Sequence, residues 1–111
     1  MFSFNRQWDK DHPYYAVGGE HLYFGWMGMD GLIGSIDKID DHTVKFTLTK
    51  PESPFVSNLA MDFASILSAE YADNLTASGN QADIDFKPVG TGPFVFKSYK
   101  KDSMIRYEAF D

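Results

Sequence analysis

The sequence predicts an α+β fold: a small mixed, largely antiparallel sheet built from hairpins, with short helices inserted between them. Three observations carry this. Val44, Phe46 and Leu48 alternate with Thr43, Lys45, Thr47 and Thr49, the period-2 pattern of a strand with one face covered. Phe94, Phe96, Ile105 and Tyr107 repeat that pattern in a second pair of runs near the end of the chain. Between them lie helix start and stop signals, Ser53-Pro54 and then Ser68 with Gly79.

Each element follows in order. Met1, Phe4 and Trp8 stand at helical spacing with no capping residue before them, as if the pattern began inside a helix. His12-Pro13 is the expected stop, because proline disfavours helical geometry in the residue before it. Residues 14–34 carry six of the nine glycines among Tyr14, Tyr15, Tyr23, Phe24, Trp26, Met27 and Met29. This reads as a long loop with one helical turn near Glu20–Trp26, and long ordered loops often carry function. Two strands then meet at Asp40-Asp41-His42, and Pro51 ends the second. Ser53 is the expected cap of the next helix, with Pro54 at its first position. Phe55, Leu59 and either Met61 or Phe63 form its inward stripe. A second helix runs from its cap at Ser68 to a left-handed stop at Gly79. Residues 80–88 read as polar loop, and strands over Phe94–Tyr99 and Met104–Phe110 join at Lys100–Ser103. Residues 1–111 are expected to form a single domain.

Composition removes several function classes. The net charge is −6, and Lys100-Lys101 is the only basic cluster, so no nucleic-acid partner is expected. There is no cysteine, which excludes disulfides and thiolate chemistry and suits an oxidising compartment. No apolar run approaches the ~20 residues of a membrane helix, so direct membrane insertion is not expected. The opening MFSFNRQ lacks the charged-then-apolar layout of a leader. That leaves two readings, a cytoplasmic protein or a piece whose flanks lie elsewhere. The 10 Phe, 6 Tyr and 2 Trp make a compact core feasible at this length.

The motif KPVGTGPFVF, Lys87–Phe96, places Gly90 and Gly92 around Thr91 and invites a phosphate-cradle reading. Pro93 removes a backbone N–H where a cradle needs one, and a β-favouring run follows in place of a helix. A dinucleotide fingerprint counted from Gly90 would need glycine where Val95 stands. Gly90, Thr91, Gly92 and Pro93 are therefore expected to form a structural turn into an edge strand, the glycines supplying unusual φ values. His12, His21 and His42 are dispersed, and neither a zinc nor a calcium spacing occurs, so no metal site is expected. No nucleophile motif occurs, and Asp40-Asp41 reads as turn chemistry; no catalytic residue and no cofactor are expected, and the chain is not read as an enzyme. The aromatic stretch Tyr14–Trp26 is the best candidate binding surface, although core packing explains such residues as well.

Three segments, DDHTVKFTLTKPESPFVSNLAMDFASILSAEYAD (40–73), PVGTGPFVF (88–96) and KDSMIRYEAFD (101–111), resemble bacterial extracellular solute-binding proteins of family 5. The likeness is closest to the periplasmic dipeptide-binding and haem-binding lipoproteins of peptide ABC transporters. It runs from FSFNRQ to RYEAFD, with the GTGPF turn and MDFASILSAEYAD its most specific parts. Members of that family are several times longer, with two lobes that close on a ligand and an extra small domain beside the first lobe. The chain resembles that accessory domain alone, beginning inside its first helix and stopping where relatives continue.

The resemblance implies a non-catalytic domain of a periplasmic protein that captures dipeptides, or a related ligand such as haem, for an ABC transporter permease. The charged residues that clamp peptide ends in the family belong to the two lobes, so none carries over. In larger oligopeptide-binding relatives an aromatic after the proline of the first loop approaches the ligand. The matching stretch is His12-Pro13-Tyr14-Tyr15, which makes Tyr14, and after it Tyr15, the candidate ligand contacts. The alternative is a self-contained aromatic-surface module for a flat ligand such as haem or sugar, with His21 as a possible haem ligand.

Overall fold

A computed structural model describes residues 1–111, which fall into two compact units, Met1–Ile66 and Leu67–Asp111. The fold is α+β, and the hairpins form two separate two-stranded antiparallel sheets, one in each unit, not one mixed sheet. The reason lies between them: the chain from Pro51 to Pro93 supplies turns and helices and no strand that could bridge the two ribbons.

In the first unit, α1 (Phe2–Trp8) starts at Met1 without a side-chain cap, as the sequence implies. It ends at Trp8, four residues before the expected stop at His12. Asp9 turns extended, and its carboxylate accepts the Asp11 N–H at 3.0 Å, a local bond that competes with another helical turn. The glycine-rich stretch holds two short helices, not one: α2 (Leu22–Trp26) and α3 (Met29–Leu32), separated by Gly28 at φ 66°. Strands β1 (Ile33–Lys38) and β2 (Val44–Leu48) pair antiparallel, with Gly34 as an extra residue between the Ile33–Leu48 and Ser35–Thr47 pairs. The bulge explains why Ile33 and Ile36, three apart, are both buried. A side chain is disfavoured at Gly34, since a Cβ there would approach the Thr47 carbonyl oxygen at 3.3 Å.

The turn between these strands is built by Asp40. Its carboxylate accepts the His42 N–H at 2.8 Å and the Thr43 hydroxyl at 2.9 Å, and these bonds hold its pKa below the ordinary carboxylate value. Helix α4 (Phe55–Asn58) begins one residue later than expected, with Pro54 at the cap position and no side-chain cap from Ser53. Phe55 is buried, and Leu59 and Phe63 pack against the core, which resolves the alternative at the end of that stripe in favour of Phe63. Phe63 lies in a short 3₁₀ turn, Asp62–Ala64. The core gathers Phe4, Phe24, Met29, Leu32, Ile33, Ile36 and Phe55, with Trp8, Phe46 and Leu48 against it. Val44 continues the alternation on paper, yet it is exposed. Two side chains of α1 tie the helix down: the Trp8 indole donates to the Ile33 carbonyl at 3.1 Å, and Gln7 donates to the Phe63 carbonyl at 2.8 Å.

In the second unit, α5 (Ala69–Ser78) is bounded as the sequence predicts. The Ser68 hydroxyl accepts the Tyr71 N–H at 3.1 Å, and Gly79 sits at φ 71°. Replacing Ser68 by Ala is expected to cost about 1 kcal/mol. Amide exchange in the first turn of α5 reads this directly, and protection unchanged in that turn would contradict the assignment of the cap. Residues 80–88, expected as polar loop, contain a further helical turn, α6 (Asp83–Phe86), which buries Ile84. Strands β3 (Phe94–Lys100) and β4 (Met104–Ala109) pair antiparallel with Lys97 bulged, and Asp102 at φ 59° closes their turn. Phe96 and Tyr107 face each other across the ladder, ring centroids 6.0 Å apart. Period 2 is present, but it does not create one covered face: Phe94, Ile105 and Tyr107 are all more than half exposed.

Residues 91–93 bend into β3, and the Pro93 carbonyl accepts the Phe110 N–H at 2.9 Å. The expected φ role of the glycines fails here. The positive-φ glycines are Gly18, Gly19, Gly28 and Gly79; Gly90 and Gly92 are not among them, and a Cβ at either would meet open space. Pro93 at the entry to the ribbon is the tolerated position for a residue without an N–H.

Candidate functional site

The chemistry-bearing side chains of the first unit lie in the segment after α1. His12 Nδ1 accepts the Tyr14 N–H at 3.1 Å, so the loop is fastened to the imidazole in its neutral form. Phe2 meets both the His12 and Tyr14 rings edge-on at 5.4 Å. Tyr14 is buried, at 4% exposure. Tyr15 is half-buried and meets the His21 ring edge-on at 5.7 Å. His21 Nε2 lies 2.9 Å from the Tyr15 carbonyl oxygen, which can only accept, so Nε2 carries a proton and donates it there.

This loop and α2 border an open cleft of about 570 Å³. Tyr15, Ala16, Gly19, Glu20 and His21 form one side, α2 with Phe24 and Trp26 another, and Gln7 and Asp30 complete the lining. Phe24 belongs to the core at 1% exposure, whereas Trp26 is 69% exposed. The structure thus divides the candidate aromatic surface. Tyr14 and Phe24 are interior, Tyr15 and Trp26 line the cleft, and Tyr23 stands outside with its ring edge-on to Trp26 at 5.4 Å. Sequence reasoning did not single out Glu20, Asp30 or Gln7 as partners of those rings. Their convergence depends on the turn at Gly18 and Gly19 and on the second short helix, neither of which periodicity reveals.

The remaining candidates do not assemble. No three His, Asp or Glu side chains converge where they could hold a metal ion. His42 is on the β1–β2 turn, its N–H bound to Asp40. Gly90–Pro93 lie in the second unit and are described by their backbone role above. No helix is long and apolar enough to cross a membrane.

Burial lowers the His12 pKa from its ordinary 6.5; Asp9 works in the opposite sense and Arg6 in the same sense, both as smaller effects. A histidine with a lower pKa when folded takes up its proton more readily after unfolding. Its contribution is therefore intact above pH 6.5 and lost as the pH falls below that value. Thermal midpoints should accordingly drop between about pH 7.5 and about pH 5 by more in the wild type than in His12→Asn. Identical pH slopes in the two proteins would show that His12 does not carry the effect.

Comparison with known proteins places this geometry. The family model described as "Bacterial extracellular solute-binding proteins, family 5 Middle" matches residues 1–111. The chain belongs to that family, and with it to the solute-binding proteins. It is 54% identical over its whole length to the dipeptide-binding protein of Escherichia coli K12, of which it covers 21%. It is 47% identical, again over its whole length, to heme-binding protein A of Haemophilus influenzae, covering 20%. The crystal structure of a dipeptide-binding protein from Pseudoalteromonas sp. SM9913, in complex with Met-Leu, superposes with a TM-score of 0.92. It is 41% identical, over 99% of this chain and 22% of that one. The chain thus spans about a fifth of the length of these relatives.

Proposed function

We propose that the chain is the accessory domain, beside the first lobe, of a periplasmic solute-binding protein that captures dipeptides or a related ligand such as haem for an ABC transporter. The observation that carries this is the 54% identity, without loss of any part of the chain, to a dipeptide-binding protein. In this reading the domain is non-catalytic and reaches the membrane permease only as part of the intact protein. Closure of the two lobes around the ligand is the working step. Its own contribution is structural, with Tyr15, which lines an open cleft, as the residue that contacts ligand; Tyr14, the first candidate on sequence grounds, is interior and positions the loop instead.

Calorimetric titration of the full-length protein with a dipeptide panel and with hemin tests the reading. Micromolar or tighter binding of at least one dipeptide or of hemin is expected, and silence across the whole panel would overturn it. Tyr15→Ala should weaken that binding, whereas the 111-residue chain alone should bind peptide weakly or not at all.

A second reading, a self-contained surface for a flat ligand such as haem or sugar, is favoured by the cleft between Tyr15 and Trp26. A haem iron there would have to take His21 through Nδ1, since Nε2 donates to Tyr15. A Soret shift with the 111-residue chain, abolished by His21→Ala, is its signature; no shift removes its haem form.

A further inference from the structure

The polar character of the cleft is one-sided. Gln7 lines it, but its amide nitrogen is turned away to the Ser3 and Phe63 carbonyls at 2.9 and 2.8 Å, which leaves its oxygen as the group able to take part. The Nε2–H of His21 is likewise engaged by the Tyr15 carbonyl, so in the neutral ring only the other nitrogen's lone pair is left to offer. Glu20 and Asp30 add two carboxylates, one oxygen of Asp30 already accepting the Gly31 N–H at 2.9 Å, and no Lys or Arg lines the space. Among the lining side chains the Trp26 indole N–H and the Tyr15 hydroxyl are the remaining donors, and a hydroxyl also accepts. An anion or a carbonyl-rich ligand would find few partners here. A cation would find two opposite charges, two neutral acceptors and the open ring of Trp26, whose π face attracts positive charge.

We propose that this cleft is a binding site for an organic ammonium ion, the charged end of an alkylamine lying between Glu20 and Asp30 with its stem on Trp26. The two carboxylates supply the attraction, and the exposed indole covers the methylenes, as amphipathic stems prefer. The ammonium can come from a free diamine or from a lysine side chain; both present the same group. The site shares the cleft that Tyr15 lines, but its existence does not depend on the capture reading.

Calorimetry on the full-length protein with cadaverine decides it, with 1-pentanol as the uncharged counterpart of equal stem length and Nα-acetyl-lysine amide as the lysine side-chain probe. Binding of cadaverine and not of 1-pentanol is expected, weakening as salt is raised. Response to both amines supports a site that reads the ammonium itself; response to one of them assigns its source. Glu20→Gln with Asp30→Asn should weaken cadaverine roughly tenfold, and Trp26→Leu roughly fivefold. Glu20 and Asp30 are exposed, so the double variant is expected to keep the wild-type unfolding midpoint. No heat with either amine, equal binding of 1-pentanol, or undiminished cadaverine binding by the folded double variant would each overturn the proposal. The 1-pentanol comparison uses wild-type protein alone and so stands even if a variant misfolds. Cadaverine binding without dipeptide or hemin binding would uphold this site while removing the capture reading.

Discussion

Phe24→Ala should destabilise the first unit by about 3–5 kcal/mol, the usual cost of deleting a buried aromatic ring. At 1% exposure Phe24 shares with Met29 the deepest burial of any large side chain in the protein, and its ring meets Phe63 edge-on at 5.9 Å. The cavity left behind would open between the residue's own short helix and the 3₁₀ turn, two elements with few backbone bonds to resist collapse. Against the ~5–15 kcal/mol that holds an ordinary domain together, this is a large fraction. Amide exchange separates the outcome from a general loss of structure: β1 and β2 amides should lose protection, with those of β3 and β4 as the internal comparison. Because Phe24 also lines the cleft, the same substitution should remove any ligand response there. Retained β1–β2 protection would mean that Leu32, Ile33 and Ile36 hold the unit together without the ring.

What was legible in the chain sorts by the physics of each signal. The β1–β2 hairpin was legible because its turn is local chemistry, an Asp40 carboxylate binding its own neighbours at 42 and 43. Helix α5 was legible for the same reason at both ends, with a hydroxyl cap at Ser68 and a left-handed stop at Gly79. Helix α3 was not: four residues, Met-Asp-Gly-Leu, are too few for a 3.6 period to declare itself. Helix α6 was hidden in the same way inside a run with three charges. The error at Gly90 and Gly92 is of another kind. Glycine permits unusual backbone angles without requiring them, and here Pro93 and the Phe110 N–H settle the entry to the ribbon instead.

The candidate site divides along the same line. Aromatic residue types in the Tyr14–Trp26 stretch announced a surface, and part of it exists. Which rings face outward was not available from composition, since Tyr14 and Tyr15 are adjacent, alike, and end on opposite sides of the boundary between interior and cleft. That choice is made by His12, whose lone pair catches the Tyr14 N–H, and by Phe2, whose edge covers the Tyr14 ring. Neither interaction is a spacing rule. The carboxylates that line the cleft with the rings come from residues ten apart, Glu20 before α2 and Asp30 within α3.

Ile84→Ala tests the element that the sequence concealed, and the expected loss is about 2–5 kcal/mol in the second unit. The buried apolar side chains of that unit are Ala72, Leu75 and Ile84, against exposed side chains along almost the whole of β3 and β4. Two of the three belong to α5, so Ile84 is the single buried anchor contributed by the stretch between α5 and the ribbon. Local bonds around it are modest: the Lys87 N–H to the Asp83 carbonyl at 2.7 Å, and an exposed Lys87–Asp83 ion pair at 2.9 Å that adds little. Without the isoleucine, α6 has too few residues to persist as a helix in water. The Tyr71 hydroxyl, which donates to the Lys87 carbonyl at 2.9 Å, would then lose a fixed partner. The measurement is exchange at the amides of residues 84–87 together with the C-terminal turn of α5, where the Asn80 N–H binds the Leu75 carbonyl at 2.9 Å. Both should open in the variant while β1 and β2 stay protected. Protection lost at 84–87 alone, with α5 unchanged, would show that Ile84 anchors its own turn and nothing more.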